Sequence, residues 1–272
     1  MKRSFFASPY VLWMIVFTIM PLVFVVYYAI TDATGAFSLA TWKDYFTEGN
    51  MMTLWSSIRL AIECTIICLV VGYPAAMFLA SKELSKNKAL FVLILLPMWM
   101  NFLLRTYAMR ELLRDGGVLS ALFGMLNMEM PKLLYTEGAV LLGMVYNYLP
   151  FMILPIYTCL KKMDQRVIEA AEDLGANPLQ VFARVRVPLS VPGVVSGITM
   201  VFMPAVTTFA LSKILGGGMT PMMVGDQIEL QFITFGNWQM GSTISLILLV
   251  LIIASLALLR KVDPDNEGGG MW

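Results

Sequence analysis

The chain contains no histidine, and only 14% of its 272 residues are charged. The first absence excludes metal sites, nucleophile pairs and zinc-protease motifs that depend on an imidazole. The second is well below the roughly 25% of charged residues in soluble domains, while 58% of the residues are apolar. Most of the surface is therefore expected to face lipid. The net charge of +1 gives no reason to expect a nucleic-acid partner.

The sequence also lacks a phosphate-binding loop of the GxxxxGK[ST] type, because Gly216–Gly218 is followed by Met219 instead of Lys and Ser or Thr. We therefore expect no ATP site, no cofactor and no enzymatic activity in this chain. The three cysteines all lie in apolar segments, and an odd number provides no disulfide framework. No metal site is expected either.

Six apolar segments are long enough to cross a bilayer, whose hydrocarbon core of about 30 Å takes roughly 20 helical residues. These segments are 10–30, 55–79, 89–107, 139–160, 194–215 and 243–259. The pattern predicts an all-α integral membrane protein with six transmembrane helices. Residues 1–262 would form the membrane domain, and residues 263–272 a disordered tail.

The distribution of Lys and Arg predicts the orientation. When the amino terminus is placed inside, 12 of the 19 basic residues fall on the inner side. Six crossings then place both termini in the cytoplasm. The longest inner segment, 161–191, becomes a cytoplasmic loop.

Two acid-containing pairs stand out in or near the predicted spans. Arg59 and Glu63 are four residues apart, so they share one face of a helix. They are either a paired anchor that faces the bundle or part of a substrate path. Asp226 and Glu229 are either solvated loop residues or an anionic lining for a cationic solute.

The cytoplasmic loop carries start and stop signals for two short helices. Asp164 can cap the first helix, Gly175 suits a left-handed residue that ends it, and Asn177-Pro178 can start the second. Pro188 and Pro192 are expected to end the second helix before the fifth span. An apolar stripe runs along the first helix at spacings of three and four, at Val167, Ala170, Ala171 and Leu174. The pair is either a docking element or a loop packed on its own chain.

At these residues the chain resembles the permease subunits of bacterial ABC importers. Glu169-Ala-Ala, followed by Gly175 and closed by Val185-Arg-Val-Pro188, has the spacing of their signature, with Val187 in place of the usual Leu. The resemblance implies a type I, MetI-like fold in which this loop contacts a cytoplasmic ATPase. The implied contact residues are Glu169, Ala170, Ala171, Gly175, Asn177 and Pro178.

Within that family, stretches 72–80, 96–107, 143–152 and 215–238 resemble spermidine/putrescine permeases. The resemblance implies a bacterial inner-membrane importer with a second permease subunit, an ATPase dimer that binds ATP and an extracytoplasmic substrate-binding protein. A polycationic solute would need acids and aromatic faces along its path. The candidates are Trp99, Tyr107, Glu111, Asp115, Asp226 and Glu229. A permease for another small solute, such as an amino acid or iron, and a stand-alone secondary transporter remain as alternatives.

Overall fold

The computed structural model describes residues 3–81, 88–126, 128, 131–218 and 220–262. The predicted tail at 263–272 lies outside the described residues. Within the described residues the chain is helical, apart from one isolated bridge between Thr31 and Phe37. The α-helices are α1 (Arg3–Met14), α2 (Met20–Ala29), α3 (Ala40–Tyr45), α4 (Glu48–Leu79), α5 (Lys88–Trp99), α6 (Phe102–Leu113), α7 (Val118–Met125), α8 (Glu137–Lys162), α9 (Gln165–Asp173), α10 (Pro178–Val181), α11 (Val187–Thr207), α12 (Val224–Glu229) and α13 (Trp238–Val262). In the described part of the chain, four π-helical turns are present at Ile15–Ile19, Phe182–Arg186, Ser212–Gly216 and Leu230–Thr234.

Among the residues that the structure describes, five continuous helical stretches are long and apolar enough to cross a membrane, and a bent helix pair supplies a sixth candidate span. The five are Pro9–Ala29, Glu48–Leu79, Glu137–Lys162, Pro178–Thr207 and Trp238–Leu259. They agree with five of the six predicted segments, and the expected all-α membrane fold is confirmed. Two of the predicted segments differ from the structure in a way that matters for function.

The third predicted span is not one straight helix. The chain breaks between Trp99 and Phe102, and the two limbs bend by 100°. The side chain of Asn101 accepts hydrogen bonds from the backbone N–H groups of Leu103 and Leu104, at 2.9 and 3.2 Å. This cap satisfies the first free donors of a new helix, so α6 starts in a different direction. Hydropathy alone cannot detect the break, because both limbs are apolar.

The fifth predicted span begins earlier and ends earlier than expected. The prediction that Pro188 and Pro192 end the second cytoplasmic helix is wrong, because α10, the π turn at Phe182–Arg186 and α11 form one continuous stretch, Pro178–Thr207. In the π turn the N–H of Val187 bonds to the carbonyl of Phe182, five residues back, and this wider spacing lets the helix continue into the prolines. We call this stretch the coupling rod.

Helices α4, α8 and α11 form the core of the bundle. A Cβ atom on Gly193 or Gly197 of α11 would lie within 3.0 Å of Cys159 or Met152 of α8. Such close approach is typical of small residues at membrane helix interfaces. Gly193 lies beside later residues of α8 than Gly197 does, so α8 and α11 are antiparallel, as neighbouring crossings require.

The first span stands apart from this core. None of the apolar window within Pro9–Ala29 is buried, and α2 packs against α13. Tyr28 of α2 contacts Trp238 of α13, with ring centroids 5.9 Å apart. The exposed apolar surface of this span therefore needs lipid or another membrane protein to cover it.

Candidate functional site

The first helix of the loop predicted to be cytoplasmic, α9, starts as the sequence predicts. The carboxylate of Asp164 accepts a hydrogen bond from the N–H of Arg166 at 3.0 Å. Ile168 is only 6% exposed and anchors the helix to the chain. The apolar stripe predicted from the sequence did not include Ile168. Its apolar side chain, next to Val167 in the sequence, was the signal that could have identified it as the buried residue of α9.

The corner between α9 and α10 also follows the prediction. Gly175 has a φ of +85°, the left-handed conformation that glycine adopts without a Cβ clash. Asn177 and Gln180 then form a reciprocal capping box, with N···O distances of 2.8 and 2.9 Å. Pro178 is the first residue of α10, where its missing N–H costs no helical bond. The corner is thus fixed by local hydrogen bonds.

The two leucines beside this corner project away from the chain. Leu174 is 89% exposed and Leu179 is 74% exposed. The predicted contact residues on either side are exposed as well, except for Ala171, which is half-buried; these are Glu169, Ala170, Ala171, Gly175, Asn177 and Pro178. We call the segment from Glu169 to Leu179 the coupling knob. Its apolar tip lacks any cover among the described residues, as expected of a surface that meets a partner.

Behind the coupling knob lies a partly open cavity of about 240 Å³. Its apolar wall includes Met77 of α4, Leu160 of α8 and Ile168 of α9, while Glu172 and Arg186 add charge. The knob therefore touches the bundle at a few points instead of packing against it throughout. Just after the knob, Phe182 of the coupling rod makes an edge-to-face contact with Tyr73 of α4, with ring centroids 5.7 Å apart.

At the opposite end of the bundle, Arg59 has a partner that the sequence analysis missed. Its guanidinium lies 2.6 Å from the carboxylate of Glu137, at the start of α8, and 3.9 Å from that of Glu63. The stronger contact therefore joins two helices, whereas the predicted pair within α4 is loose. Glu137 follows Thr136, a residue type that caps helices well, and it places an acid in the first turn of α8. This pattern was the sequence signal that could have identified Glu137 as a partner for a cation.

Asp226 and Glu229 both lie on α12, but neither is a free carboxylate on the surface. Asp226 is 5% exposed and accepts hydrogen bonds from the hydroxyl of Ser212 and the N–H of Met223. Burial raises the pKa of Asp226 above its ordinary value of 3.8. Glu229 forms an ion pair with Lys213 at 2.5 Å. Both carboxylates thus help to hold α12 against the π turn at Ser212–Gly216.

The other four candidates for a substrate path lie near the break between α5 and α6 or beyond it. Trp99, Tyr107, Glu111 and Asp115 are all exposed, and Glu111 pairs with Arg114 at 3.3 Å. Tyr107 lines an open pocket of about 560 Å³. The other residues that line this pocket are Arg110, Tyr135, Lys213, Ile214 and Gly217. The structure therefore groups Tyr107 with cationic and aromatic side chains and separates it from Asp226.

Arg105 is a further charged residue, whose burial the sequence analysis did not predict. It falls within the third predicted span, 89–107, and in the structure it is only 6% exposed. Among the groups of three or more His, Cys, Asp and Glu side chains searched in the described residues, none could hold a metal ion.

Comparison with known proteins agrees with this geometry. Residues 72–267 match the family described as the binding-protein-dependent transport system inner membrane component. The spermidine/putrescine transport system permease protein PotB of Haemophilus influenzae is 36% identical over 270 residues, which cover 93% of this chain and 94% of that protein. PotB of Escherichia coli K12 is 36% identical over 78% of this chain and 80% of its own length. The inner membrane ABC transporter permease protein YdcU of the same organism is 28% identical over 85% of this chain and 78% of its own length.

Solved structures share the fold at low sequence identity. A chain of a bacterial ABC transporter that imports the acidic polysaccharide alginate superposes with a TM-score of 0.74 at 14% identity, covering 94% of this chain and 93% of that one. A chain of the inward-facing MetNI methionine ABC transporter gives 0.58 at 17% identity, covering 78% and 93%. The chain therefore belongs to the family of inner membrane components of binding-protein-dependent transport systems, and is a multi-pass ABC importer permease.

Proposed function

We propose that this permease is one half of the translocation path of an ATP-driven importer for spermidine and putrescine. The exposed coupling knob is the observation that carries the role in an ATP-driven complex, because its apolar tip has no cover in the described chain. The solute is inferred from the PotB relatives, which are 36% identical over most of the chain. The partners would be a second permease subunit, a cytoplasmic ATPase dimer and an extracytoplasmic binding protein, and both termini would lie in the cytoplasm.

The coupling rod supports a mechanical route from the ATPase to the membrane. Its first residue, Pro178, belongs to the coupling knob, and its last, Thr207, lies inside the bundle. Thirty helical residues span about 45 Å at a rise of 1.5 Å each. A helix of this kind transmits displacement without a hinge, so movement of the knob by the ATPase would tilt the fifth span directly. Alternating access requires an element with two positions whose equilibrium is shifted both by the ATPase and by the site that binds the solute.

The acidic lining for a polyamine stays a proposal for each candidate. Trp99 and Tyr107 offer exposed aromatic faces, which attract ammonium groups. Glu111 and Asp115 offer exposed carboxylates. Asp226 and Glu229 are committed to hydrogen bonds and an ion pair, so they would need to exchange these contacts to reach a solute.

Transport by the complete complex in proteoliposomes tests the solute. We expect ATP-dependent uptake of labelled spermidine and putrescine that requires the binding protein. Competing amino acids and ferric iron should leave this uptake unchanged. ATP-dependent uptake of an amino acid or of iron, with no polyamine uptake, would assign the importer to another solute.

Copurification with the ATPase tests the coupling knob. Leu179→Asp places a charge on the apolar tip, and we expect the ATPase to be lost from the purified complex. Phe37→Asp is the matched control, because Phe37 is also 74% exposed but belongs to the loop between α2 and α3, at the opposite end of the bundle. Loss of the ATPase in both variants, or in neither, would contradict the assignment.

A further inference from the structure

The open pocket of about 560 Å³ beside Tyr107 has a wall of hydrogen-bond donors, and none of the described residues that line it is an acid. Arg110 supplies a guanidinium and Lys213 an ammonium group. Tyr107 and Tyr135 each supply a phenol, and the other two lining residues carry no charge. A wall of this composition favours an anionic ligand over a polycation.

Arg110 is the cation of this pocket that remains available for a ligand. Lys213 already forms an ion pair with Glu229, at 2.5 Å. None of the described carboxylates forms an ion pair with Arg110, and its Nε atom is buried without an acceptor among the described residues. Glu111, the next residue, pairs with Arg114 instead. A guanidinium can present two parallel N–H groups to one carboxylate, so Arg110 is suited to hold this kind of anion.

One wall of the pocket is held in an uncommon backbone conformation. Tyr135 has a φ of +66°, which is rare for a residue other than glycine. Its N–H donates a hydrogen bond to the carbonyl of Leu215 at 2.9 Å. Its ring lies against Gly217, where an added Cβ would collide with it. These contacts fix the ring of Tyr135 at the pocket, and backbone strain of this kind is concentrated at functional sites.

The pocket is attached to the core of the bundle. Leu211 and Leu215, on either side of Lys213 in the sequence, are fully buried. Both leucine side chains lie beside Gly143 of α8, where an added Cβ would meet them. A ligand in the pocket therefore contacts a segment that is packed against a core helix.

The pocket lies at the end of the bundle opposite the coupling knob. Tyr135 is two residues before α8, whose 26 residues rise by about 39 Å, and α9, which leads into the knob, follows the other end of that helix. Lys213 likewise comes after Thr207, the last residue of the coupling rod, whereas the knob contains its first residue, Pro178. A partner that enters this pocket is therefore distinct from the one that meets the knob.

We propose that this pocket receives an acidic side chain of the extracytoplasmic binding protein, whose carboxylate pairs with Arg110. The inference rests on the proposed function, because it takes the end opposite the coupling knob as the extracytoplasmic side. Transport systems of this family depend on a binding protein. Charge complementarity with the pocket then selects an acid on the surface of that protein and fixes the register in which it docks.

The affinity of the complete complex in nanodiscs for its fluorescently labelled binding protein tests the pocket. Arg110→Gln removes the charge and keeps a polar side chain. We expect Kd to rise about tenfold, because one charge-assisted contact is lost. The difference from wild type should become smaller as the salt concentration is raised, since the pocket is open to solvent. Arg110→Lys, which retains a cation, should recover part of the affinity.

Arg114→Gln is the matched control. Arg114 lies four residues after Arg110, but it is exposed, pairs with Glu111 and does not line the pocket. We expect its Kd to stay within about twofold of the wild-type value. An equal loss of affinity in both variants would overturn the inference, because it would show a general attraction by charges at this end of the bundle. Unchanged affinity in Arg110→Gln would overturn it as well.

Charge reversal identifies the group that Arg110 meets. Arg110→Glu should weaken binding more than Arg110→Gln, because it places two acids together. Replacement of one acid of the binding protein by lysine should then restore part of the affinity to Arg110→Glu, while it weakens binding to the wild-type complex. If no acidic position of the binding protein gives this rescue, the direct pair is wrong.

A lipid headgroup is the other anion that such a pocket could hold. Nanodiscs with and without phosphatidylglycerol separate the two occupants. We expect the effect of Arg110→Gln on Kd in both kinds of nanodisc. An effect that appears only with the anionic lipid would assign the pocket to a lipid phosphate and overturn the inference.

A second variant covers the case in which Arg110→Gln fails to accumulate. Tyr107→Phe removes one donor from an exposed side chain, and we expect it to raise Kd about threefold. Unchanged affinity in this variant would then count against the pocket.

The binding measurement requires no transport of solute. A wild-type complex that binds the protein but imports no polyamine would contradict the proposed solute, while the comparison of Kd values would still decide the role of Arg110. A wild-type complex that binds no such protein would contradict the proposed function itself.

Discussion

The hydroxyl groups of Tyr73 on α4 and Ser190 on α11 are joined by a hydrogen bond of 2.8 Å. Ser190 donates its own proton to the carbonyl of Val187 at 2.9 Å, so Tyr73 is the donor in the shared bond. The ring of Tyr73 also contacts Phe182. A single side chain of α4 therefore contacts the coupling rod on both sides of Pro188, at the end of the bundle that carries the coupling knob.

Tyr73→Phe should loosen this attachment. It removes the donor but keeps the ring contact with Phe182, so we expect a loss of about 1 kcal/mol in stability. A double-mutant cycle with Ser190→Ala, followed by thermal unfolding of the purified complex, measures the coupling. Additive effects of the two substitutions would contradict a direct bond between these hydroxyls.

Gly193→Ala should disturb the interface between α8 and α11. An added Cβ would lie 2.9 Å from the carbonyl oxygen of Pro155 and 3.1 Å from the Cα of Ile156, and a backbone cannot move as freely as a side chain. Overpacking of this kind costs roughly 1–3 kcal/mol. Gly124→Ala in α7 is the control, because no atom lies within 4 Å of its added Cβ. Equal Tm values for the two variants would contradict this prediction, because they would show that α8 and α11 can move apart without loss of stability.

Arg59 should depend more on Glu137 than on Glu63. All three side chains are about 40% exposed, so solvent screening limits even the better pair to about 0–1 kcal/mol. The 2.6 Å contact with Glu137 should give a measurable coupling energy in a double-mutant cycle, whereas the 3.9 Å contact with Glu63 should give almost none. A larger coupling energy for the pair within α4 would contradict the structure.

Asp226 should make the complex less stable as the pH rises. Burial raises its folded-state pKa, so Asp226 favours folding most below the ordinary value of 3.8, and this contribution is lost as the pH rises through the raised pKa. The hydrogen bonds from Ser212 and from the N–H of Met223, and the charge of Lys213, lower the pKa of Asp226. The charge of Glu229 raises this pKa further, in the same direction as burial. As the pH rises from below 3.8 through the raised pKa of Asp226, we expect the Tm of Asp226→Asn to rise relative to the Tm of the wild type.

Asp32→Asn provides a control of opposite sign for this pH series. The hydroxyl and N–H of Thr34 lower the pKa of Asp32, so its contribution to stability is lost as the pH falls through the lowered pKa. Differential scanning of wild type and both variants from acid to neutral pH makes the comparison. Parallel Tm profiles for wild type and Asp226→Asn would show that the burial of this carboxyl has no effect on stability.

The sequence predictions were confirmed where the interactions that form a structure join residues close together in the sequence. Asp164, Gly175, Asn177 and Pro178 act on backbone groups within a few residues, so their roles could be predicted from their order along the chain. The break at Asn101 also has a local cap, but the apolar residues on both sides concealed it. The continuity of the coupling rod through Pro188 depends on a π turn, which has no simple sequence signal.

Partners that lie far apart in the sequence could not be predicted in this way. Arg59 had an acidic residue four positions away, yet its close contact is with Glu137, 78 residues later. The sequence left Asp226 and Glu229 as either solvated loop residues or an anionic lining, whereas the packing of α12 buries the first and pairs the second with Lys213. In each case the fold decides which of several nearby charges meet.

The sequence by itself determined that this protein crosses the membrane with helices and that two short capped helices meet at Gly175, because hydrophobic length and helix caps act locally. Only the tertiary structure decided that the knob continues into the fifth span as one rod, and that Arg105 of α6 is buried. Helix continuity and the burial of a charge depend on how α4, α6, α8 and α11 pack together, and packing brings together residues that the sequence keeps apart.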